Sequence, residues 1–122
     1  MIESAIRTEL NSITEIQNKI YPHVAPEITD TPYLIYANTN TQEEYVLDGV
    51  TGNKRVIFDL NLYCKTYSDL KSIGHKIRSK LLSLLGKTIS GFFIQSVNLE
   101  THDFYDSAVD LHRTVFEFEI YY

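Results

Sequence analysis

The chain has 122 residues, with hydrophobic side chains at 43% and charged ones at 22%, and this describes one ordinary globular domain spanning residues 1–122. A net charge of −5 argues against nucleic-acid binding, which needs clustered Lys and Arg. No apolar run approaches the roughly 18 residues that span a bilayer, and the single Cys64 excludes an internal disulfide and argues against a cysteine-based zinc site.

Residues 2–20 place Ile2, Ile6, Leu10, Ile13, Ile16 and Ile20 at steps of four, four, three, three and four. This spacing predicts one amphipathic helix that Pro22 stops. The acidic start of this segment is unlike a secretory or transit peptide, and a lone cysteine suits a reducing cytoplasm.

All three prolines, Pro22, Pro26 and Pro32, fall within the run YPHVAPEITDTPYLIY. A P-x-x-P spacing is absent, so the local reading is a stiff extended crossover from helix to sheet. A strand is expected to begin just after Pro32, over residues 33–38, where a missing N–H is tolerated. A second, weaker strand is expected around Tyr45 to Leu47, and DGVTGNK (48–54) reads as a turn or loop.

From Arg55 to Lys65 the alternation is regular: Val56, Phe58, Leu60, Leu62 and Cys64 share one face, and Asp59, Asn61, Tyr63 and Lys65 the other. Thr66 and Asp69 fit a capping pattern for a second helix. Its face is Leu70, Ile73, Ile77, Leu81, Leu84 and Leu85, and Gly86 is placed to end it. Two more strands follow, over 92–102 and 109–122, with 103–108 as the turn of a hairpin. The sum is an α+β two-layer sandwich, with a mostly antiparallel sheet of four to five strands packed against two amphipathic helices.

Chemistry is hard to find in this pattern. His102, Asp103, Asp106, Asp110 and His112 lie close together in sequence and suggest a metal-dependent hydrolase as one alternative, but the spacing matches no ligand motif and a solvated acidic turn reads the same. Cys64 falls on an apolar strand face, and nucleophile-elbow, phosphate-loop and zinc-helix signatures are missing. The expectation is a non-enzyme with no catalytic residue, metal or cofactor. Charge is more telling: the second helix carries Lys71, Lys76, Arg78 and Lys80, while the last hairpin carries Asp103, Asp106 and Asp110. These two faces could meet head to tail between copies and close a ring. Two ordinary solvated faces would give the same charges. The nine tyrosines and six phenylalanines suit protein contacts as well as a core.

Taken together, IYPHVAPEITDTPYLIY, LDGVTGNKRVIFDLNLYCKTYSDLKSIGHKIRSKL and the closing VFEFEIYY resemble the tail completion proteins of long-tailed bacteriophages, also called tail-to-head joining or tail terminator proteins. The resemblance implies a virion structural subunit that forms a ring, sixfold on the tail; a free monomer that assembles only on the tail is compatible with this. Such a ring caps the head-proximal end of the tail tube, ends tube polymerisation and offers a surface to the head–tail connector. Its implied partners are the tail tube protein, the connector protein and other copies of itself, with no membrane and no specific nucleic acid. Its implied location is the tail–head interface, reached from the host cytoplasm during assembly. A neck or connector protein binding the head side only is the nearest alternative, and a small binding module without a phage role is another. The expected interface residues are Glu43, Glu44, Tyr45 and Asp48 in the loop from Thr39 to Lys54, Lys71, Lys76 and Arg78 on the second helix, and Asp103, Phe104, Tyr105 and Asp106 at the hairpin tip.

Overall fold

The computed structural model describes residues 2–23, 30–46 and 49–122, with side chains over these positions apart from 38–53. Pro26 and Asp48 therefore lie outside the described residues.

The first helix, α1, covers only Ile2–Leu10, followed by a single 3-10 turn at Thr14–Ile16. The long helix expected over residues 2–20 is thus corrected. Asn11, Ser12 and Thr14 compete for backbone groups: the Asn11 side chain accepts from the Asn18 N–H at 2.7 Å, and Asn18 turns with φ 61°. The isoleucine stripe nevertheless serves its purpose, because Ile13, Ile16 and Ile20 are all buried.

A three-residue strand, β1 (Ile20–Pro22), follows where a crossover was expected, and pairs parallel with β2 (Tyr33–Val46). Pro22 is compatible with this because β1 is a sheet edge. The strand β2 pairs antiparallel with β3 (Gly49–Cys64), from Tyr33↔Tyr63 to Val46↔Gly49. The expected loop from Thr39 to Lys54 is therefore corrected to a long hairpin. Register shifts between Asn38 and Asn40 and between Glu43 and Tyr45 let one strand absorb what reads as two.

The helix α2 (Tyr67–Leu82) opens on the Thr66 cap, whose hydroxyl accepts from the Asp69 N–H at 3.1 Å. It ends before Gly86, and Leu85 stays 57% exposed instead of joining Leu70, Ile73, Ile77, Leu81 and Leu84 in the core. A small hairpin, β4 (Thr88–Ile89) with β5 (Phe92–Phe93), turns through Ser90 and Gly91, both at positive φ, which suits a tight hairpin. The strand expected over 92–102 is therefore split, and its second part is β6 (Ser96–Asp106). The last strand is β7 (Leu111–Tyr121). The turn between them lies over 107–110, not 103–108, so Asp103, Phe104, Tyr105 and Asp106 are strand residues.

The large sheet has the order β1-β2-β3-β7-β6, antiparallel except at β1. Its helix-facing side presents Val56, Phe58, Leu60 and Leu62 of β3 beside Ile120, Phe118, Phe116 and Thr114 of β7, all buried. The helix α1 lies over β1–β3, where Ile6 and Leu10 meet Ile20, Tyr36, Phe58 and Leu60. The helix α2 lies over β3, β7 and β6. At Gly74 the helix passes close to β7, where an added Cβ would stand 3.7 Å from Phe116 Cζ, an ordinary van der Waals contact. Both helices occupy one side, which makes an α+β two-layer arrangement with the other sheet face uncovered among the described residues.

Candidate interaction surfaces

Strand alternation sends every second residue to the uncovered face, and the pairing register aligns those residues into rows. One row runs Tyr33, Tyr63, Arg113, Phe104 across β2, β3, β7 and β6. The Tyr33 and Tyr63 rings stack at 5.0 Å between centroids with planes 19° apart, and the Arg113 guanidinium lies 5.1 Å from the centre of the Phe104 ring. Partial burial, and then the neighbouring Tyr63, push the Tyr33 hydroxyl pKa up. Next comes Ile35, Asn61, Val115, His102, and then Ala37, Asp59, Glu117, Glu100. The Glu119 carboxylate is neutralised by Arg55 at 2.7 Å and also accepts from the Asn98 side chain at 3.3 Å. Arg55 is the main reason its pKa lies below the ordinary glutamate value.

This face is aromatic and aliphatic at one end and acidic at the other. Tyr33, Ile35, Tyr63, Arg113 and Val115 are all half-buried by their neighbours alone, while Phe104 is 49% exposed. A sheet face of this kind is suited to a flat protein contact, where aromatic residues and Arg concentrate.

The helix-side residues behave differently. Lys71 pairs with Asp103 across the gap between α2 and β6, and Asp103 also accepts from the Thr114 hydroxyl at 2.7 Å. Lys71 first and Thr114 second hold the Asp103 carboxyl below the usual aspartate range. Lys76 pairs with Glu15 at 2.6 Å, and Lys80 with Glu9 at 3.3 Å. Much of the basic charge expected on the helix is therefore neutralised within the chain, and these bridges fasten α2 to α1, to the 3-10 turn and to β6. Arg78 is exposed and has no ion-pair partner among the described residues. It borders a groove of about 280 Å³ between α2 and the β6–β7 side of the sheet, lined also by Leu70, His75, Thr101 and Phe116.

At the last turn Tyr105 donates to Asp110, and the Asp106 side chain accepts from the Ala108 N–H at 3.1 Å. His112 packs against Tyr105 with ring centroids 4.9 Å apart and against Tyr67 at 5.9 Å. Asp103, Asp106, Asp110 and His112 thus each have a structural contact, and the described residues contain no group of three or more His, Cys, Asp and Glu suited to a metal ion. Cys64 is 1% exposed, and burial, then the nearby Asp69, push its thiol to about 12. A thiolate nucleophile is not available there at neutral pH.

The other expected interface residues lie apart from both surfaces. Glu43, Glu44 and Tyr45 sit in the far part of β2, where Glu43 pairs with Lys54 and Tyr45 with Val50. Of the row Tyr33, Tyr63, Arg113, Phe104, only Phe104 was among the residues expected from sequence. The row's signal was present as aromatic residues and Arg at outward-facing strand positions, but only the register brings them side by side.

These features define a small α+β domain in which, among the described residues, both helices lie on one face of the sheet. A family model described as Tail completion protein gp17 matches residues 4–122, and the chain belongs to this phage tail completion family. In structure it is similar to a chain of the virion of native gene transfer agent (GTA) particle. That likeness has a TM-score of 0.72 at 11% identity and covers 98% of this chain and 92% of that one. At such identity it is a likeness of fold. No curated protein matches the chain in sequence.

Proposed function

We propose that this protein is a tail terminator: copies of it form a ring, sixfold on the tail, that caps the head-proximal end of the tail tube. The ring ends tube polymerisation and joins the tail to the head connector. It works at the tail–head interface after assembly in the host cytoplasm, as a non-enzymatic structural part with no cofactor. Its partners are the tail tube protein, the connector and its own copies.

The observation that supports this reading most is the uncovered sheet face in a member of the tail completion family. A terminator has to bind the last tube ring better than another tube subunit does, and then offer no further tube-like surface. This task asks for contact area and shape, with no bond made or broken. The row Tyr33, Tyr63, Arg113, Phe104 supplies rigid aromatic area at low entropic cost.

The test is electron microscopy of lysates from the parent phage with this gene deleted. Full heads beside unattached tails of irregular or excessive length are expected. Unattached tails of normal length would instead identify a neck protein that binds the head side only. Intact infectious particles would overturn both readings.

A further inference from the structure

The strand order leaves β6, residues Ser96–Asp106, as an open sheet edge. The groove of about 280 Å³ runs beside it, with Leu70 and Phe116 as apolar lining, Thr101 and Asp103 on the β6 side, and Lys71, His75 and Arg78 on the α2 side. A strand that hydrogen-bonds to an open edge sends alternate side chains to each sheet face, and pockets beside the edge then select them. Here the helix-side residues of an added strand would enter this groove.

We infer that the edge of β6 and its groove receive the far part of the β2–β3 hairpin, residues 42–46, from a second copy of this chain. The inference deepens the ring reading above and rests on it. Three observations carry it.

The hairpin outruns the sheet. The strand β1 accompanies β2 only to Tyr36, and the β3–β7 pairing runs to Arg55↔Tyr121, just past which Lys54 and Tyr122 exchange backbone hydrogen bonds. Beyond this, Glu43↔Lys54, Tyr45↔Val50 and Val46↔Gly49 form a ribbon of two strands with no third beside it among the described residues. Such a ribbon is marginal alone in water and gains most from a further strand.

The charges are complementary. Arg78 has no ion-pair partner among the described residues, and His75 is exposed beside it, whereas Lys71, Lys76 and Lys80 are paired. The hairpin segment carries two consecutive anions, Glu43 and Glu44, so that with side chains alternating between faces either register turns one anion toward a cationic groove with apolar lining. On β6 itself, Asp103 is neutralised by Lys71, and Glu100 and Asp106 alternate to the opposite sheet face.

The two surfaces also lie on strands that are not neighbours in the sheet. The strand β6 is one sheet edge, and β2 lies next to the other. Each copy therefore carries one donor and one acceptor, and the contact is head to tail, which closes a ring when the rotation permits.

The test complements the gene-deleted phage with plasmid-borne variants. Glu44→Cys with Arg78→Cys is treated in assembled particles with a short bis-maleimide, with Glu44→Cys with Arg7→Cys as control; Cys64 is buried and silent. A ladder of linked copies from the first pair alone is expected. Restored infectivity with only monomer on the gel overturns the hairpin contact and leaves the terminator reading intact. Infectious particles without any copy of the protein remove the terminator reading, and the ring contact with it. Where the cysteine pair does not assemble, Arg78→Glu is compared with Arg78→Glu combined with Glu43→Lys and Glu44→Lys. Loss of one such contact weakens association by about tenfold or more, so Arg78→Glu lowers titre by at least about tenfold and the combined variant recovers it. An unaffected Arg78→Glu, or a combined variant that recovers nothing, overturns the inference.

Discussion

The Lys71 ammonium on α2 is paired with the Asp103 carboxylate on β6, so that a helix and an edge strand far apart in sequence are joined across the sheet's open flank. Thr114 on β7 donates to the other oxygen of the same carboxylate and fixes its orientation. The bridge belongs to a set, with Lys76–Glu15 and Lys80–Glu9, that ties one helix to three separate segments.

The bridge predicts an acid-side loss of stability. The folded Asp103 carboxyl titrates below its unfolded value, so its contribution is complete above the ordinary aspartate pKa of about 3.9 and fades as pH falls through the lower folded value. Glu119, held down by Arg55, acts in the same direction. Asp103→Asn removes the first contribution. Because the pair is partly exposed, the effect at neutral pH is at most about 1 kcal/mol. Thermal melts from pH 7 to pH 3 should show the gap between the two proteins narrowing with acid; a constant gap would contradict the assignment.

Gly74 can be improved. It lies inside α2, and a Cβ there meets Phe116 Cζ at 3.7 Å, an ordinary van der Waals contact. Gly74→Ala gains helix propensity of about 1 kcal/mol without a clash. Urea unfolding should give a higher midpoint at unchanged slope.

Thr66 works in the opposite sense. Its hydroxyl satisfies the Asp69 N–H at the start of α2, and Thr66→Ala leaves that donor to solvent at a cost of about 1 kcal/mol. Thr66→Ser should recover most of the loss in the same urea experiment.

Cys64 should be chemically silent. With 1% exposure and its thiol pushed to about 12, it should not react with a thiol reagent at pH 8 until the protein unfolds. Rapid labelling of native protein would mean that the end of β3 opens locally.

The open sheet face separates stability from function. Phe104→Ala removes a ring that is 49% exposed and rests against Arg113. Its stability change should stay within about 0.5 kcal/mol, as for other exposed positions, yet complementation of the deleted phage should fall. A variant that melts normally and complements fully would remove this row from the docking surface.

The sequence by itself determined which side of each element is buried. The alternation of Val56 to Cys64 and of Thr114 to Ile120, and the spacing of Leu70, Ile73, Ile77 and Leu81, are local signals of burial, and those residues are in the core. Two-layer α+β class and tail completion family were legible for the same reason: a period and a run of scaffold residues are properties of the chain. Element ends were not. The first helix stops at Leu10 because Asn11 and Asn18 form a local turn, and the glycine-bearing stretch 49–54 is held in strand by cross-strand pairing. Only the tertiary structure decided that β3 lies between β2 and β7, and so set Tyr33 beside Tyr63 and Arg113 beside Phe104. It also decided that, of the α2 cations, Lys71, Lys76 and Lys80 are spent on partners while Arg78 has no ion-pair partner among the described residues. Register and ion pairing join residues that are distant along the chain. A hydrophobic pattern fixes the face that each residue takes but leaves its neighbour on that face undetermined.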